Sequence, residues 1–152
     1  MPVNSPESVA MSFANAWNNA DADALTAVFK NDADFVNVVG FWWHGHRQIR
    51  HNHAIGFRDM FPDTEMVFEK TKTRMLSNDQ VAVVHARWKM TGQITPDQQQ
   101  RGGTRRGVLT FVCEKQADDS WLAVSAHNTD IIDGMQTHLA SEDGITPVHY
   151  TR

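Results

Sequence analysis

The chain changes texture at Pro62. Before it, apolar residues recur at helical spacing; after it come long runs of valine, threonine and aromatic residues joined by short polar turns. The later part predicts four strands, over about residues 65–75, 80–93, 104–115 and 120–132. Turns fall at Ser77-Asn78-Asp79 and Asp118-Asp119, and a longer polar loop runs from Thr95 to Gly103. Links this short join antiparallel neighbours. Helices first and long strands afterwards imply an α+β fold, in which helices cover one face of a mostly antiparallel sheet. If the other face is also partly apolar, packing against a second copy is the economical way to bury it, so a homodimer through the sheet is expected.

Ser5-Pro6-Glu7 is a helix start: serine caps the free amides, proline fits the first turn and glutamate faces the positive dipole end. Val9, Phe13, Ala16, Trp17 and Ala20 then follow one helical stripe. A second helix opens near Asp21 or Asp23, carries Ala24, Leu25, Val28 and Phe29, and ends before Asn31. From Ala33 to Val39 the pattern is a strand with Phe35, Asn37 and Val39 on one face, broken by Gly40 ahead of a short strand at Phe41-Trp42-Trp43. Helical spacing returns from His46 to Phe61. Beyond Asp133 the tail has no periodicity of its own.

A length of 152 residues fits one domain over 1–152, with a core of about 6–132 and a tail of 133–152. A net charge of −4 leaves no basic footprint for nucleic acid, and no apolar run is long enough to span a bilayer. The first residues lack a charged stretch followed by an apolar one, so a cytoplasmic protein is expected. The single cysteine, Cys113, sits among Leu109, Phe111 and Val112 and reads as a core residue.

The segment from Asp34 to His53 concentrates the candidate chemistry. On a helix from His46, about 100° per residue gathers Ile49, His53, Phe57 and Met60 on one arc and sends His51 to the other side. His53 is therefore the candidate acid or base, against the alternative of a core imidazole satisfied by a carbonyl or an amide. The four histidines 44, 46, 51 and 53 do not form a helical i, i+4 pair, so no metal is expected. Adjacent strand residues point to opposite faces, which lets only one of Trp42 and Trp43 enter a cavity. On the strand from Ser120, Leu122, Val124, Ala126, Asn128 and Asp130 share a face, an apolar row ending in an amide and a carboxylate. Such an ending orients a ligand in an apolar pocket, and Asn37 supplies a second amide.

With these elements in order, residues 6–132 resemble the nuclear transport factor two-like superfamily, also called SnoaL-like or ketosteroid isomerase-like. The stretches Asp34-Phe-Val-Asn-Val-Val-Gly, Trp43-His-Gly, Val81-Ala-Val-Val-His-Ala-Arg-Trp and Ala126-His-Asn-Thr-Asp, with His53, are similar to its SgcJ/EcaC-type branch. The resemblance implies a cone-shaped domain, a strongly curved sheet of about six strands with three helices around a pocket, usually paired as a homodimer. It also makes Asp130 the nearest counterpart of the SnoaL-like base. The expected function is binding of a small apolar carbonyl or polyketide-like compound, with cofactor-free isomerase, cyclase or hydratase chemistry on it. His53 and Asp130 are the catalytic candidates; Asn37, Trp42, Trp43, Phe57, Trp88, Phe111 and Asn128 are the ligand-binding ones. No dinucleotide fingerprint is present, so no cofactor is expected. The alternative is a noncatalytic carrier or a dimeric interaction module.

Overall fold

A computed structural model describes residues 3–151. Met1, Pro2 and Arg152, the ends of the expected 1–152 domain, lie outside the described residues. The helices are α1 (Pro6–Asn18), α2 (Ala22–Ala27) and α3 (Gly45–Asp59). The strands are β1 (Phe29–Val36), β2 (Trp42–His44), β3 (Glu65–Leu76), β4 (Val81–Thr91), β5 (Arg105–Lys115), β6 (Trp121–Asp130), β7 (Thr137–Ser141) and β8 (Gly144–Val148). Six of them form one sheet in the order β2-β1-β6-β5-β4-β3, antiparallel throughout except for the parallel pair β1 and β6. The fold is α+β, as the order of periodicities implies.

Local signals account for the helix starts. Ser5 Oγ accepts the Ser8 amide at 3.1 Å, and Asp21 Oδ1 accepts the Ala24 amide at 2.9 Å, each satisfying a donor that the first turn leaves free. Val9, Phe13, Ala16 and Trp17 of α1 are buried against the inner face of the sheet. Two strands supply most of that inner face: Ala82, Val84, Ala86, Trp88 and Met90 on β4, then Leu109, Phe111 and Cys113 on β5. Burial pushes the Cys113 thiol up to about 12, so it behaves as a small apolar residue.

Three details depart from the periodicities. Phe29 leaves the second helix and opens β1, opposite Ala123, because burial of its ring in the sheet outweighs helical spacing. β1 stops at Val36, where Asn37 takes over the turn. On β6 the pairing skips Val124: Ser125 opposes Val112 and Ala123 opposes Cys113. One extra residue in a strand reverses the facing of everything before it. Trp121 and Ala123 therefore point inward with Ala126, Asn128 and Asp130, while Leu122 joins the outer face, correcting the uninterrupted row from Leu122 to Asp130.

The tail does carry structure. β7 and β8 form a two-stranded hairpin closed at Glu142-Asp143, every residue exposed except the half-buried Val148. It comes near no other helix or strand among those described. No helix among the described residues is long and apolar enough to cross a membrane.

Candidate functional site

A cavity of about 400 Å³ opens between α3 and the inner face of the sheet. Trp17, Phe35, Phe41, Trp43, Phe61 and Met66 supply apolar wall, and the polar lining includes Asn37, His53, Gln93, Arg105 and Asn128.

His53 reaches the wall from α3 with 6% of its surface exposed. Its Nδ1 lies 2.8 Å from the Ile49 carbonyl oxygen. A carbonyl only accepts, so Nδ1 carries the hydrogen and Nε2 carries the lone pair. No described residue donates to Nε2, and it is not sealed from solvent. Around the ring stand Phe35, Trp43 and Phe13, edge to face, with centroids 4.9, 5.4 and 6.0 Å away. Burial among these rings lowers the imidazole to about 4, against the opposing pull of the Ile49 carbonyl. At neutral pH the ring is thus an uncharged acceptor facing an apolar space.

The amides have the opposite polarity. Asn37 Oδ1 accepts the amides of Val39 at 3.1 Å and Phe41 at 2.9 Å, which builds the turn between β1 and β2. Asn128 Oδ1 accepts the Trp88 indole N–H at 2.8 Å. Gln93 Oε1 accepts Arg105 Nη1 at 3.1 Å. Every one of these partners is donor-only, so the three amide orientations are fixed and the NH2 ends remain uncommitted.

Gly107 makes the Trp88 contact possible. It lies opposite Trp88 on β5, and a Cβ there would overlap the indole and the Thr129 carbonyl. With no side chain in the way, the indole crosses β5 to reach Asn128 on β6.

The candidates from the sequence divide. His53, Asn37, Asn128, Trp43 and Trp88 line the cavity. The remaining four lie elsewhere. Trp42 is 72% exposed and donates its indole N–H to Asp34 at 2.7 Å, on the opposite side of β2 from Trp43. Phe57 packs against Trp17 at 5.2 Å and Phe111 against Phe13 at 5.4 Å, so both belong to the core behind the wall. Asp130 does not line the cavity; both its oxygens are held by Arg105, at 2.7 and 3.0 Å. Arg105 itself, with Gln93, Trp17, Phe35 and Phe61, is lining that the sequence reading missed. Arg105 shares the inward parity of Gly107, Leu109 and Phe111, a signal its charge obscures.

The other histidines separate. His46 Nε2 donates to the Phe29 carbonyl at 2.7 Å, His44 pairs with Asp34 at 2.9 Å, and His51 is exposed. Among the described residues no three of His, Cys, Asp or Glu gather as a metal site would require.

Comparison with known proteins places this arrangement. The profile described as SnoaL-like domain matches residues 10–122. The chain belongs to the SnoaL-like domain family. Solved structures with the same fold include a protein with a cystatin-like fold from Caulobacter vibrioides, 22% identical, with TM-score 0.74 and coverage of 84% of this chain and 87% of that one. A nuclear transport factor 2-like superfamily protein from Salmonella enterica is 17% identical, with TM-score 0.71 and coverage of 82% and 87%. A ketosteroid isomerase-like protein from Erwinia carotovora atroseptica is 16% identical, with TM-score 0.67 and coverage of 83% and 93%. No curated protein matches. At these identities the likeness carries the SnoaL-like cone, a mostly antiparallel sheet with three helices, and no activity.

Proposed function

We propose that this SnoaL-like protein binds a small, largely apolar carbonyl compound in the cavity and moves a proton on it without a cofactor, in isomerisation, cyclisation or hydration. The observation that carries this is the free Nε2 of a neutral His53 in a cavity whose amides offer hydrogens. His53 takes the proton, and Asn128 or Asn37 donates to the oxygen on which charge develops. A base as weak as this suffices where the developing oxyanion is well stabilised. Two copies pack through the outer face of the sheet, where half-buried Val83 and Val112 lie opposite each other. Cytoplasmic residence is part of the same reading.

The test needs no prior substrate. Exchange of α-protons of neutral apolar ketones in D2O, followed by NMR, reports proton abstraction directly. His53→Ala should slow exchange by about 100-fold or more while leaving the protein folded. Equal exchange in the folded variant would remove the catalytic assignment. The second reading, a carrier, is favoured by one observation: an imidazole lowered to about 4 is a better acceptor for a ligand hydroxyl than a base. Retained ligand affinity with no exchange in either protein would select it.

A further inference from the structure

One end of the cavity is built from Arg105 on β5, Asn128 on β6 and Gln93, two residues past the end of β4 and bonded to Arg105. Among the described residues Arg105 is the one charged group in the lining. Three of the five N–H bonds of its guanidinium go to Asp130, Asp130 and Gln93, leaving two uncommitted. With the NH2 groups of Gln93 and Asn128, these are all donors, so an oxygen acceptor of the ligand belongs here. The charge of that acceptor is decided by Asp130. Its carboxylate grips Arg105 through two parallel bonds, the geometry that most fully neutralises a guanidinium. The pair is only about a quarter exposed on each side, which limits screening by water.

We propose that Asp130 is a specificity residue: by neutralising Arg105 it makes this end of the cavity select an uncharged carbonyl oxygen, as in a ketone, ester or lactone, over a carboxylate. A neutral carbonyl receives two or more hydrogen bonds and brings no charge to desolvate. A carboxylate must leave water for a site whose cation is already spoken for, and it would face the Asp130 carboxylate across the guanidinium. The inference rests on the proposed reading of the cavity as a ligand site. It gives Asp130 a part that needs neither proton transfer nor contact with the ligand.

Methyl 2-naphthoate and 2-naphthoate share a skeleton and differ in this charge, so their Kd values at neutral pH, by calorimetry on the full chain, form the test. The wild-type protein should bind the ester at least tenfold more tightly. Asp130→Asn frees the guanidinium and should move the ratio at least tenfold toward the carboxylate. Arg105→Gln leaves Asp130 unbalanced and should move it the opposite way, which keeps the test decisive if one variant fails to fold. A wild-type preference for the carboxylate, or a ratio unmoved in a folded variant, overturns the inference while the ligand site stands. Binding of neither probe by the wild-type protein overturns the ligand reading and this inference with it.

Discussion

His53 is held neutral by the rings around it, and that ties the cavity to folding. Its folded value of about 4 lies below the ordinary 6.5, so between those values the unfolded chain takes up a proton that the folded chain refuses. The contribution to stability is complete above pH 6.5 and is lost as the pH falls through 4. A shift of this size is worth about 3 kcal/mol. Urea unfolding at pH 7.5 and 4.5 should therefore show a steeper acid loss in the wild-type protein than in His53→Gln, which cannot titrate; equal losses would mean the imidazole is solvated. The inward position of His53 was legible because a helix of known phase permits only one answer, whereas strand parity said only that one of Trp42 and Trp43 faces inward, and the pairing of β2 with β1 decides that it is Trp43. Asp130 was visible as the carboxylate that ends an apolar row, but nothing local says that a guanidinium twenty-five residues earlier will hold it.

Among the elements, β5 has the narrowest tolerance. Its Gly107 is buried with Trp88 lying over it, and the methyl group of Gly107→Ala has nowhere to go but into the indole or the Thr129 carbonyl. We expect a cost of about 1–3 kcal/mol from overpacking and loss of the Trp88 to Asn128 bond, read as a lower urea midpoint with altered tryptophan fluorescence. An unchanged midpoint would show that the indole has room elsewhere. The extents of β3 to β6 were readable because half-buried strands advertise a period of two. The bulge at Val124 was not, because Leu122, Val124 and Ala126 are all apolar and keep the alternation looking regular across it. Phe29 misled for a related reason: helix and strand both bury it, and only the distant partner Ala123 decides which.

For the whole molecule, the outer face of the sheet sets the expected assembly. Val83 opposite Val112, with Leu122 brought outward by the bulge, gives that face an apolar component that the helices do not cover. Light scattering should report twice the monomer mass, and Val112→Lys, which puts a charge into the proposed contact, should return it to the monomer value; a wild-type monomer would rule the assembly out. The tail lay beyond sequence reading because its hairpin buries almost nothing and so leaves no hydrophobic period. The main sheet guards its rims, with a three-residue strand at one border and Lys70, Lys72 and Arg74 along the other. The hairpin is guarded more thinly, by Pro147 on β8, and its Leu139 and Ile145 are open to water beside two unpaired borders. For anyone preparing this protein at high concentration, unwanted self-adhesion would begin at this appendage, and trimming it is the first change to make to a sample that will not stay dispersed.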